Sequence, residues 1–220
     1  MTDEPAETAA RAAATLRSRI AAGRLLPGVK LGEQELAQSL RLSRNTLRVA
    51  FAQLQGEGLV VRIPNRGCFV AQPDAADVAE IYRVRGMVEP AAVLWGEADD
   101  EAEAAINEIL DQARAAKGSN DVDAMAAAND AFHRALVDMA GSPTLAATMD
   151  RVMARTRLVF RSMDANPDFH AHYVERNAQL STRIFGGQRQ LAAAELREYL
   201  DGAERELLRH IESHSRVRQG

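Results

Sequence analysis

The chain has 220 residues, 46% of them hydrophobic and only 5% aromatic, with a formal net charge of −4 and one cysteine, Cys68. One large or two small domains fit that length. A single cysteine excludes an internal disulfide and suits a reducing compartment, no apolar run approaches the ~20 residues that cross a bilayer, and MTDEPAET has no apolar signal region; a cytoplasmic location is expected.

The charge is unevenly divided. Residues 1–73 hold ten Lys/Arg and six Asp/Glu, and the remainder seventeen and twenty-five. A basic head on an acidic body confines phosphate affinity to the head.

In chain order, Ala9 to Ala22 reads as a helix with Leu16 and Ile20 inward, and Leu26-Pro27-Gly28 as a turn. From Leu31 to Val70 two short amphipathic patterns flank a polar turn. Leu36, Ala37 and Leu40 form the first apolar stripe; Leu47, Ala50, Phe51 and Leu54 form the second. Ser43 stands where an N-cap belongs, and Gly56 with Gly58 stops the helix. Leu59-Val60-Val61 and Cys68-Phe69-Val70 are β-prone runs around Pro64-Asn65-Arg66-Gly67, which has turn chemistry. The order predicts a winged helix-turn-helix of three helices and a β-hairpin wing.

The free face of the second helix has a task. Ser43, Arg44, Asn45, Thr46 and Arg48 crowd its first turn, whose unpaired N–H groups suit a phosphate. Arg and Asn make bidentate contacts to guanine and adenine in the major groove. Arg62, Arg66 and the slim Gly67 would let the wing approach a groove. These features predict binding to double-stranded DNA.

Ala71-Gln72-Pro73-Asp74 marks the expected boundary between domains 1–73 and 74–220. Six helices are expected after it, over about 74–98, 100–116, 121–140, 144–163, 168–185 and 188–214, making an all-α antiparallel bundle and a mainly α protein. Val78, Ile81, Tyr82, Val84, Val88 and Val93 should face inward from the first, and Leu196, Leu200, Ala203, Leu207 and Ile211 from the last. Trp95 suits core or dimer-interface packing. Arg151, Arg155, Arg157 and Arg161 have mixed phase and should be mostly solvated or interfacial, with one member able to reach the cavity. No Ser/His/Asp set, phosphate-binding glycine loop or HExxH occurs, so no catalytic residues are expected.

SRNTLRVAFAQLQGEGLV and PNRGCFV, with IAAGRLLPGVKLGEQELA upstream, resemble the DNA-binding domain of the GntR family of bacterial transcription regulators. The resemblance implies DNA contacts from Arg44, Asn45, Thr46, Arg48 and Gly67. Many members carry an arginine early in the second helix, where this chain has Gln34. DVAEIYRVRGMVEPAAV, NDAFHRALVDMAGSPTL and GGQRQLAAAELREYLDGAERELL resemble the FCD ligand-binding domain of the FadR subfamily. The resemblance implies a ligand-responsive regulator that dimerises through its helical half. A homodimer would bind a palindromic operator, because a two-fold protein requires a two-fold site.

Many FCD domains hold a metal with an Asp, a His one turn on, and two later His. Those positions fall here on Asn129, His133, Asn177 and Tyr199. Amide and phenol are poor ligands for transition metals, so no metal or cofactor is expected. The four residues instead offer neutral donors and acceptors to a small metabolite. Arg85 could supply a charge for a carboxylate, or could form a surface ion pair with Glu89 at i+4. The alternatives are a core histidine with a buried amide partner and, for the whole chain, an architectural DNA-binding protein without an effector.

Overall fold

The computed structural model describes residues 4–161 and 167–217. The chain divides into two compact units, Met1–Pro73 and Asp74–Gly220. It is mainly helical, with a small antiparallel sheet in the first unit.

In the first unit, α1 spans Glu4–Ala21, α2 Glu33–Leu40 and α3 Arg44–Gly56. Ala9, Ala12, Ala13, Leu16 and Ile20 bury one stripe of α1 at the spacing of a single helix face, and α1 lies along α3. From α3, Leu47, Ala50, Phe51 and Leu54 are buried. Arg17 Nε donates to Glu57 Oε2 at 2.8 Å, tying α1 to the end of α3. The turn between α2 and α3 is set by Arg41, which adopts φ 56 and returns its N–H to the helix. This left-handed position usually goes to Gly or Asn, so its occupant was not legible as a stop signal. Ser43 Oγ accepts from Thr46 N at 3.0 Å, as an N-cap should.

The wing is larger than the hairpin expected. Strands β1 (Lys30–Leu31), β2 (Val60–Ile63) and β3 (Gly67–Val70) form a sheet in the order β1-β3-β2. Lys30 opposes Phe69, which opposes Val61 on its other side. A two-residue strand is too short to show an alternating pattern; only its pairing to β3 reveals it. Gly67, at φ +107, takes a conformation barred to other residues where β3 leaves the turn.

In the second unit α4 spans Ala75–Trp95, α5 Asp100–Gly118, α6 Val122–Asp138, α7 Pro143–Phe160, α8 Pro167–Phe185 and α9 Arg189–Val217. Side chains of Asp74, Asp99, Asp121 and Ser142 cap the first four. The helix ends expected at Met163 and Asn166 lie outside the described residues. Helix α4 lies along α9 and α5 along α6, while α6 also meets α4, α7 and α8. Ile81, Phe132, Leu136, Met153, Leu196 and Leu200 are among the residues of the resulting core.

Helix α4 departs most from expectation. It ends at Trp95, short of Ala98, because Gly96 leaves the helical conformation. Its buried face includes Arg85, Gly86 and Glu89, while Val84 and Val88 are only partly buried. Trp95 is 80% exposed, which rules out the core. Pro90 lies inside α4 and removes the N–H that would bond to the carbonyl of Gly86. Arg197 of α9 replaces it, its Nη1 donating to Gly86 O at 3.0 Å. A side chain at Gly86 would meet that guanidinium, so glycine makes the approach possible. Arg189, at the start of α9, donates to Val93 O at 2.7 Å and to Gly96 O. It thereby satisfies carbonyls that the end of α4 leaves open.

Candidate functional sites

Two groups of residues carry chemistry. The first is the start of α3 with the wing. Arg44 and Asn45 are exposed there. Arg48, also exposed, has Nε 2.9 Å from Glu33 Oε2 of α2. The pair holds the guanidinium on the α3 surface at little net energy, since solvent screens it. Arg66 is exposed with its guanidinium 5.7 Å from the Phe69 ring centre. Ser43, Thr46 and Arg66 thus have local structural contacts as well as the DNA role expected of them, and Gly67 shapes the wing. Gln34 and Arg62 are exposed. Burial raises the Cys68 thiol above its ordinary value and leaves it protonated, which suits packing.

The second group is a polar network sealed inside the helical unit. Arg85, Glu89, Asn129, His133, Asn177 and Tyr199 are all buried, and they come from α4, α6, α8 and α9. Arg85 Nε donates to Glu89 Oε1 at 2.6 Å, with side chains 1% and 0% exposed. The surface pair expected from the sequence is therefore a core pair. Glu89 Oε2 lies 2.7 Å from His133 Nδ1. His133 Nε2 lies 3.1 Å from Tyr199 Oη. Tyr199 Oη lies 3.1 Å from Asn129 Oδ1, which accepts from Asn177 Nδ2 at 2.9 Å. All five expected ligand residues join one chain of contacts. Glu89 links them and was not singled out, because its i, i+4 spacing to Arg85 is also that of countless surface pairs.

Burial alone would raise the Glu89 carboxyl, but Arg85 and His133 hold it below the ordinary range. Burial depresses His133, against the pull of Glu89, so at neutral pH its ring is uncharged. Ionised Glu89 can only accept, which places the ring proton on Nδ1. Nε2 must then accept from Tyr199. The phenol has a single proton, and Asn129 Oδ1 also wants it. Turning both amides over removes the competition: Asn129 Nδ2 then donates to Tyr199 Oη and to Asn177 Oδ1, while Tyr199 donates to His133. Either orientation of the amides fits the same contacts: in one Tyr199 Oη donates to Asn129 Oδ1, in the other to His133 Nε2.

Four buried polar atoms around it have no hydrogen-bond partner among the described residues: Tyr82 Oη, Arg85 Nη2, Asp130 Oδ1 and Asn177 Oδ1. Such atoms cost free energy unless a guest satisfies them. Asp130 faces Arg157 at 3.7 Å, away from the Asn129–His133 face. Burial pushes its carboxyl up to about 6. Of the two expected environments, solvent or interface, Arg157 and Arg161 take the second: their side chains are 10% and 7% exposed and both reach Asp123. Arg155 pairs with Asp77 at 2.7 Å, and Arg151 is exposed.

The residues do not fit a transition metal. His133 has both ring nitrogens engaged by Glu89 and Tyr199, and the other candidates are two neutral amides and a phenol whose pKa burial raises well above 10. Stripping that phenol of its proton would be costly, and amide oxygens bind such metals weakly. Among the described residues no group of three or more His, Cys, Asp or Glu converges as a metal site.

A basic winged helix-turn-helix joined to a helical unit with a sealed polar interior defines a DNA-binding regulator of the one-component type. Family models agree with each half. Residues 8–70 match the bacterial regulatory proteins of the gntR family, and residues 80–202 match the FCD domain. A transcriptional regulator GntR of Rhodococcus sp. RHA1 is 34% identical, with 91% of this chain and 97% of that one covered at a TM-score of 0.84. An HTH-type transcriptional regulator of Agrobacterium vitis is 32% identical over 56% of this chain and 74% of its own. One of Streptomyces ambofaciens is 28% identical over 84% and 78%. The chain belongs to the GntR family of transcription regulators, with the FCD-type architecture of the FadR subfamily. It is a DNA-binding regulator with a helical ligand-sensing domain, and not an enzyme.

Proposed function

We propose that the protein works in the cytoplasm as a homodimer on a palindromic operator. Ser43, Arg44, Asn45, Thr46, Arg48, Arg66 and Gly67 face DNA, and a small carboxylate is sensed by Arg85, Asn129, His133, Asn177 and Tyr199. The observation that carries the sensing half is the buried network with two of its own polar atoms, Arg85 Nη2 and Asn177 Oδ1, unpaired among the described residues. Arg85 Nη2 is a free donor for a carboxylate oxygen and Asn177 a free amide edge. A guest that engages Tyr199 or Asn129 selects one of the two amide orientations, which gives the domain a discrete internal state to couple to operator affinity, typically by ~1–3 kcal/mol. The dimer reading is supported by Met87 and Trp95 of α4, 69% and 80% exposed and two turns apart on one face.

The test is an operator recovered by selection from random DNA, followed by screening of small carboxylates for release or tightening. Tyr199→Phe should abolish the response while leaving operator binding intact. A response unchanged in Tyr199→Phe, Asn129→Ala and His133→Ala would place sensing elsewhere. Operator binding that no effector alters would favour the architectural alternative.

A further inference from the structure

A cleft of about 240 Å³ opens between α8 and α9, lined by Arg176, Gln179, Leu180, Arg183, Glu195, Glu198 and Tyr199. The two helices run antiparallel, so residues 176, 179 and 183 face residues 199, 198 and 195 in turn. At one end Arg183 and Glu195 neutralise each other, with Nε 2.6 Å from Oε2. At the other, the Arg176 guanidinium lies over the Tyr199 ring, 4.7 Å from its centre. No carboxylate pairs with it among the described residues, although its charge also reaches Tyr173. Glu198, on the facing wall, has no ionic partner there either. The two lie too far apart to pair, since no contact within 4.0 Å joins them.

The Tyr199 ring belongs to both places. One face lies under Arg176 in the cleft, and its hydroxyl reaches His133 and Asn129 in the sealed network. Half-buried Arg176 is held in position by the ring instead of by a carboxylate, which leaves all its N–H groups for a guest.

We infer that the α8–α9 cleft is a binding site for a small amino carboxylate, with Arg176 holding the carboxylate and Glu198 the ammonium. A simple anion would be attracted by Arg176 and repelled by Glu198; a simple amine would meet the reverse. A zwitterion satisfies both walls, and Gln179 between them offers an amide to either end. Binding there lifts or shifts Arg176 on the Tyr199 ring. That moves the phenol which two acceptors share, so the cleft becomes an input to the buried network. This regulatory step rests on the sensing role proposed above; the binding step does not.

Calorimetry and thermal shift on the full chain test both. The probes are the common L-amino acids and γ-aminobutyrate, each against its matched partner lacking the amine or the acid, such as butyrate and butylamine. At least one zwitterion should bind more tightly than either partner. Arg176→Ala and Glu198→Gln should each weaken it about tenfold or more, the cost of one charge-assisted contact, and Arg176→Lys should recover part of the loss. Both positions are accessible from solvent, and circular dichroism confirms folding of each variant. No zwitterion preferred over its partners, or binding indifferent to both substitutions, overturns the site. Zwitterion binding lost in Arg176→Ala but without effect on operator affinity keeps the site and overturns its link to Tyr199.

Discussion

Glu89 on α4 and His133 on α6 meet at 2.7 Å in the core of the helical unit, and Glu89 is at the same time the sole ionic partner of Arg85 among the described residues. A carboxylate between a guanidinium and an imidazole neutralises the one and orients the other. Removing it should leave Arg85 buried and uncompensated. Glu89→Gln is expected to destabilise the protein by about 3–5 kcal/mol. Adding Arg85→Met should return much of that loss. Urea denaturation of the single and double variants measures both, and an additive double variant would deny the coupling.

Asp130 sets a pH dependence. Its carboxyl titrates near 6 in the folded protein against 3.8 ordinarily. A raised pKa means the folded state holds the extra proton between those values, so this contribution is full below about pH 4 and is lost as pH rises through 6. The two-unit gap amounts to roughly 3 kcal/mol at most. Asp130→Asn should therefore raise Tm more at pH 7.5 than at pH 4.5, with Asp123 remaining as partner to Arg157. An equal change at both pH values would show that Asp130 is not under this strain.

At the surface proposed to face DNA, Arg48→Ala should cost about 1–3 kcal/mol of specific operator affinity. Glu33→Gln should change stability by less than ~1 kcal/mol, as for other exposed pairs. It should also strengthen DNA binding by releasing Arg48 and removing a negative charge. Fluorescence anisotropy at fixed ionic strength reads both effects. Weaker binding by Glu33→Gln would show that the ion pair positions Arg48 for DNA.

The contacts joining Asn129, His133, Asn177 and Tyr199 invite a gain-of-function test. Asn129→Asp with Asn177→His and Tyr199→His supplies one carboxylate and three imidazoles in place of amides and a phenol. The triple variant should bind zinc stoichiometrically and gain thermal stability from it, while the natural sequence should not. Equal zinc uptake by both would refute the donor argument.

Two glycines separate rigid from yielding surroundings. A Cβ at Gly96 would stand 2.6 Å from Ala92 O and 2.7 Å from Met139 backbone, whereas one at Gly86 would meet only the end of the Arg197 side chain. Gly96→Ala should cost about 1–3 kcal/mol. Gly86→Ala should cost less, because the guanidinium can swing away and alanine favours the helix by up to ~1 kcal/mol. Similar losses in chemical denaturation would mean Arg197 cannot move.

Much of this was legible in the sequence, for identifiable reasons. Ser43, the stripe Leu47–Ala50–Phe51–Leu54 and the glycines after it are local signals, and local signals determine a short helix-turn-helix. Four residues of the buried network, Asn129, His133, Asn177 and Tyr199, are legible only through the family pattern, because no spacing within the chain brings residues 129, 177 and 199 together; Arg85 is legible only as a charge on the first helix of that half. The burial of Glu89 has no local signal, and Arg85 reads equally as pocket or surface, because charge on a helix normally means solvent. Pro90 carried a hint, since it opens a carbonyl on α4 that something must fill, but only tertiary packing identifies Arg197 as the filler. Strand β1 and the αL residue Arg41 gave no signal at all.

Trp95 is the chain's single tryptophan and stands 80% exposed at the end of α4. Its fluorescence is therefore a native optical label whose colour reports how wet that surface is. A second subunit seated there would turn the emission bluer and shield it from iodide, so assembly can be followed by dilution alone, with no dye attached and no residue changed.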